Sequence, residues 1–176
     1  MPLTMTLDTS CVIAIVERQE VHPLQALDEL VELAEAGHIR LQLAEAYERD
    51  FERFRRDEKA RVDRLRFLAS APIEPRRAGG PARFDVSRFD GVDVWASETD
   101  ARLADELQRI LPGKGSNLSK RHSDADHLLA HRRSRADLFV TVDRTTILVY
   151  ANELAELGIV VIDPVEAVIY ARRGLE

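Results

Sequence analysis

The chain has 176 residues, with 31 Asp and Glu against 25 Lys and Arg, for a formal charge of −6. That length suits one domain of ordinary size, and 45% hydrophobic with 32% charged residues excludes disorder and fibrous repeats. No uncharged run approaches the roughly 20 apolar residues of a membrane span, the start carries no signal-peptide pattern, and the lone Cys11 excludes an internal disulfide and fits a reducing cytosol.

In chain order, Leu3, Met5 and Leu7 alternate with Thr4 and Thr6, the two-residue period of a strand. Pro23 opens a helix lined by Leu24, Leu27, Val31 and Ala34 and stopped by Gly37. A second strand follows, in which Ile39, Leu41 and Leu43 alternate with Arg40 and Gln42, and then a long charged helix from about Ala44 to Ser70. The segment from Ala71 to Ser97, rich in Pro, Gly and Arg, reads as an irregular excursion of the kind that is often functional. Helices are expected over Glu98 to Leu111 and from Asp124 to about Arg135. The apolar run Leu138 to Val142 reads as a strand buried on both faces, as does Ile159 to Ile162 beyond a short helix near Asn152 to Leu157. Pro164 opens the last helix, to about Arg173. Strands alternating with helices indicate a single α/β domain, with helices flanking a central parallel sheet.

Each of these strands ends in an acid: Asp8, Glu45, Asp143 and Asp163. In a parallel sheet those ends emerge at one edge, where such folds bind ligands. Converging carboxylates raise one another's pKa unless a cation neutralises them. Oxygen donors without a cysteine cluster suit Mg²⁺ or Mn²⁺, and such an ion activates water for phosphodiester hydrolysis. Each acid also has a purely structural explanation. Asp163 before Pro164 is a helix N-cap, Asp8 before Thr9 and Ser10 can cap a following helix, Asp143 can begin a turn, and Glu45 can be an exposed helix residue.

Ser123, Asp124, Ala125 and Asp126 add two more acids at the expected start of a helix. Ser123 and Asp126 match a capping box, which leaves Asp124 as the preferred ligand and Asp126 as the lesser one, because residues two apart on a helix face different ways. His127 and His131 are spaced for one helix face but lack the partners of a zinc protease site, so a structural or surface role is expected for them.

With these residues in place, the chain resembles the PIN domain nucleases. The resemblance rests on Leu7-Asp8-Thr9-Ser10, Leu43-Ala44-Glu45, Asp124-Ala125-Asp126-His127-Leu128, the run Asp137 to Asp143, and the closing Gly158 to Pro164. It implies a PIN-like three-layer sandwich, Mg²⁺ or Mn²⁺ held by Asp8, Glu45, Asp124 and Asp143, and single-stranded RNA as substrate. It also implies a hydroxyl from Thr141, near Asp143 in the last acid motif, and a supporting place for Thr9 beside Asp8 in the first. Many small members look like VapC-type toxins, which pair with an antitoxin protein and often form homodimers. This chain is longer than that pattern, mainly through the excursion. A PIN-like module that has lost catalysis and binds RNA or assembles with protein is the alternative.

The net charge of −6 disfavours nucleic acid on its face, but basic side chains cluster locally. They fill the helix between Arg49 and Arg66, where acids can pair with them across turns, and the stretch with Lys114, Lys120 and Arg121 before Asp124, where phosphate contact is expected. Phe84, Phe89 and Trp95 of the excursion are expected to pack on the core more readily than to stack on bases.

Overall fold

A computed structural model describes residues 2–44, 58–76, 97–111 and 118–175. Five parallel strands form one sheet in the order β3-β2-β1-β4-β5: β1 Leu3–Leu7, β2 Ile39–Ala44, β3 Ile73–Arg76, β4 Leu138–Val140 and β5 Val161–Ile162. The described helices are α1 Thr9–Glu17, α2 Leu24–Glu35, α3 Glu58–Ser70, α4 Glu98–Ile110, α5 Leu118–Ser134, α6 Ala151–Glu156 and α7 Pro164–Arg173. They cover both faces of the sheet, giving the α/β layers expected from the strand and helix alternation in the three-layer PIN-like form that the resemblance implies.

The pleat explains the layers. Met5, Leu7, Leu41, Leu43, Leu138 and Val140 point to one side, where they join Cys11, Val12 and Ile15 of α1, Leu27 and Leu30 of α2, and Ala167 and Val168 of α7. Phe139 and Val161 point to the other, into a core made with Leu107 of α4, Leu128 and Leu129 of α5, and Leu154 of α6. That second layer also holds a buried polar knot. Gln42 Nε2 donates to Thr6 Oγ1 at 2.7 Å and to the Ser134 hydroxyl, and His131 Nδ1 lies 2.8 Å from the same Thr6 oxygen. His131 meets Phe139 edge to face, with centroids 5.5 Å apart. Burial first, and then the Arg132 charge, lower the His131 pKa to about 4, so the ring is neutral and structural near neutral pH.

Two expectations needed revision, and one helix carried no clear signal of its own in the sequence. β3 lies within the segment read as irregular from Ala71. Pro75 cannot donate to a ladder, which hides the strand in the sequence, but an edge strand tolerates it. The stretch after Asp8 is a nine-residue helix with Thr9, Cys11, Val12, Ala14 and Ile15 all buried, so it shows little amphipathic signature. And α5 begins at Leu118, so Ser123 and Asp126 are interior to the helix and form no capping box. The expected helix over Ala44 to Ser70 is described from Glu58 on, and the rest of the excursion, with Phe84, Phe89 and Trp95, lies outside the described residues.

Register fixes where the strand ends meet. Leu7 pairs with Leu43 and with Val140, and Val140 pairs with Ile162. Asp8, Ala44, Thr141 and Asp163 therefore stand in one row along the carboxyl edge. The chain winds outward from β1 through β2 to β3 on one side and through β4 to β5 on the other, which makes β1/β4 the topological switch point.

Candidate active site

Asp8 follows β1 directly and occupies the N-cap position of α1, yet its carboxylate accepts no capping bond from the helix backbone. It is instead held across the switch point. Thr141 Oγ1 donates to Asp8 Oδ2 at 2.6 Å and Ser10 Oγ donates to the same oxygen at 2.5 Å, with the two hydroxyls 3.3 Å apart. No described residue donates to Oδ1. The Asp8 backbone N–H is tied to Val140 O at 2.9 Å, which locks the strand end in register. Asp8 is 6% exposed, buried beyond what most unpaired carboxylates tolerate. Beneath it, burial and then the Asp8 charge push the Cys11 thiol up, so it remains a neutral packing group donating to Val140 O.

Asp163, two strands over, contrasts with Asp8. Its Oδ1 accepts Val165 N at 2.8 Å and Glu166 N at 2.9 Å, an ordinary N-cap. Asp143 lies between these extremes. Burial of Asp143 opposes ionisation, but the hydroxyl and N–H of Thr146 and those of Thr145 outweigh it and lower its pKa to about 2. The carboxylate is thus a firm anion that organises the turn after β4. Its own N–H reaches Thr141 Oγ1 at 3.1 Å, so Thr141 bridges Asp8 and Asp143.

Helix α5 runs antiparallel to β1 across the second face. His131 meets Thr6, and one turn earlier His127 Nε2 lies 3.4 Å from Thr9 Oγ1. Asp124, a further turn back on the same stripe, is half-buried and stands toward the carboxyl edge that carries Asp8. Asp126 is buried at 4% exposure, two positions on and turned away from that stripe. Thr9 faces His127, and it is the neighbouring Ser10 that touches Asp8, a role absent from the sequence reading. The only sequence signal for it is the Ser two positions after a strand-end Asp.

Glu45 and Lys114 lie outside the described residues, and Lys120 and Arg121 are described only as backbone of α5. In the described half of the charged helix, Arg61 pairs with Glu58, Arg66 with Asp63, and the buried Arg64 with Glu17 of α1, so these cations are engaged within the protein. Among the described residues, no three His, Cys, Asp or Glu side chains are grouped closely enough to hold a metal ion. The donors present are nonetheless hard oxygens, and the α5 imidazoles of His127 and His131 face threonine hydroxyls. An Asp8 with one oxygen fixed and the other without a donor among the described residues fits Mg²⁺ or Mn²⁺ bound through one or two carboxylates with water completing the shell.

No protein-family model matches this chain, and no curated protein matches it in sequence. Among solved structures it is similar to a chain of the crystal structure of VapBC2 from Rickettsia felis bound to a DNA fragment from their promoter. The TM-score is 0.54 at 12% identity, over 92% of this chain and 98% of that one. The likeness is one of fold. Among the described residues, no helix is long and apolar enough to cross a membrane.

Proposed function

We propose that this protein is a metal-dependent endoribonuclease that hydrolyses phosphodiester bonds of single-stranded RNA in the cytosol. The observation that carries the reading is Asp8. This buried carboxylate stands at a helix N-cap without capping, at the switch point of a PIN-like sheet, and two hydroxyls fix one of its oxygens. Ser10 and Thr141 would orient it, Thr141 would couple it to the turn held by Asp143, and Asp8, Glu45, Asp124 and Asp143 would supply the ligands of Mg²⁺ or Mn²⁺, with Asp126 as the lesser candidate. When bound, such an ion lowers the pKa of a water and offsets charge on the phosphoryl oxygens. Lys114, ahead of α5 in the sequence, and Lys120 and Arg121, in the first turn of α5 before Asp124, would meet the RNA backbone. The fold likeness to a VapBC2 chain supports a toxin role with an antitoxin partner, and a homodimer is compatible with that role.

The test is cleavage of a labelled single-stranded RNA by purified protein with Mn²⁺, with Mg²⁺ and with excess chelator. Cleavage that needs the metal and stops with chelator is expected, and equal cleavage in chelator would overturn the reading. The second reading, a PIN-like module without catalysis, is favoured by the Asp143 carboxylate, which is already occupied by Thr145 and Thr146. Calorimetric titration with Mn²⁺ separates the two, because a module without catalysis has no need to bind the ion.

A further inference from the structure

A cleft of about 430 Å³ opens at the same sheet edge, between the start of α2 and the segments that follow β4 and β5. Its size falls within the roughly 300–1,000 Å³ typical of ligand pockets. Ser10 lines it, and the Ser10 hydroxyl donates to Asp8, so the cleft is continuous with the candidate active site. Two acids border it, and both are committed locally, Asp163 to the cap of α7 and Asp143 to the Thr145–Thr146 turn. The basic groups are not. Arg144 is exposed and makes no ion pair with any described residue, and His22 stands half-buried at the α2 side. Pro23, Leu148 and Pro164 supply apolar wall. A guanidinium without an ion pair among the described residues, an imidazole and an apolar wall beside a phosphodiester-cleaving centre match the two halves of a nucleotide, a phosphate and a flat base.

We infer that this cleft is the subsite for the nucleotide next to the scissile bond. Arg144 holds that nucleotide's phosphate, and His22 with Pro23 forms the wall against which its base stacks. The inference rests on the ribonuclease reading above and adds to it a pair of substrate-binding residues that lie outside the acid motifs.

The probe is a fluorescently labelled hexauridylate. Its affinity is measured in chelator at pH 8 over a series of salt concentrations, and its cleavage is measured with Mn²⁺. Arg144→Ala is expected to weaken binding about tenfold, the size of one lost charge-assisted hydrogen bond. It should also reduce the slope of log affinity against log salt by about 0.7, the value for one phosphate contact on a single strand. Arg144→Lys restores the slope, and His22→Ala weakens binding without changing it, since its contribution is stacking and not a phosphate contact. In cleavage, Arg144→Ala raises KM and leaves kcat near wild type. Because Arg144 is exposed, unchanged thermal unfolding of its variants is the control for folding. If wild type binds and cuts the probe while Arg144→Ala matches it in affinity and slope, the subsite is refuted and the ribonuclease reading stands. If wild type neither binds nor cuts the probe with any metal, both fall.

Discussion

Thr141→Val isolates the hydroxyl that joins the two strand-end acids. The side chain is fully buried, and valine nearly preserves its volume, so the change is chemical more than steric. Two bonds are lost: the 2.6 Å donation to Asp8 Oδ2 and the 3.1 Å acceptance from Asp143 N. A hydrogen bond to a charged group contributes about 1.5–3 kcal/mol, and a buried N–H left without an acceptor costs about 1–3 kcal/mol. Allowing about 1 kcal/mol back for a methyl in place of a buried hydroxyl, the expected loss is about 3 kcal/mol. For a chain of this length that lowers Tm by about 6–12 °C. Urea unfolding in chelator reads the effect as a lower midpoint at unchanged m-value. Thr141→Ser keeps both bonds and should lose only about 1 kcal/mol, for one buried methyl. In an Asp8→Asn background, Thr141→Val should cost at least about 1 kcal/mol less than in wild type, because the charge-assisted bond is already gone. A Thr141→Val protein within about 0.5 kcal/mol of wild type, or costs that simply add, would refute the proposed coupling.

Other outcomes follow from the same geometry. His131 has its pKa lowered to about 4 in the fold against about 6.5 unfolded, so its contribution is fully present above pH 6.5 and declines as pH falls toward 4. That window is worth about 3 kcal/mol, and the stability difference between wild type and His131→Gln across it should show this slope; a pH-independent difference would contradict the buried neutral ring. Asp163→Ala removes the cap of α7 and should cost about 1 kcal/mol in urea unfolding, within the usual range of roughly 0.5–2; no loss would mean that the two backbone bonds are not formed in solution. Removing a donor from Asp143 with Thr146→Val should raise the Asp143 pKa from about 2, visible as a carboxyl NMR titration displaced to higher pH.

Much of the layering was legible because it is periodic. The Leu3, Met5, Leu7 alternation, the apolar run at Leu138 and the Pro23, Gly37 and Pro164 punctuation each determine structure within a few neighbours, and the elements stand where those signals put them. The signals failed where tertiary context decides. Pro75 argues against a strand unless the strand is known to be an edge, and α1 is apolar on too many sides to show a helical stripe because the sheet and α2 bury it. The helix with Asp124 starts six residues earlier than its apparent capping pattern because the polar stretch from Leu118 carries no apolar period of its own.

The same division holds at the site. An acid after four of the five strands is visible locally, and so is the Thr145–Thr146 turn that occupies Asp143. What distinguishes Asp8 from Asp163 is not. One carboxylate caps its helix and the other is turned to a threonine 133 positions away, and only the register of β1 against β4 brings that hydroxyl within 2.6 Å.

The most direct test of the central claim is the rate at which Asp8→Asn cleaves single-stranded RNA at saturating Mn²⁺, beside wild type and with folding verified. The substitution keeps the size of the side chain and removes its charge. A loss greater than the roughly 10–100-fold that follows removal of even an outer-shell partner of a metal site is expected, together with weakened Mn²⁺ binding. An Asp8→Asn protein that cuts RNA at the wild-type rate would contradict it.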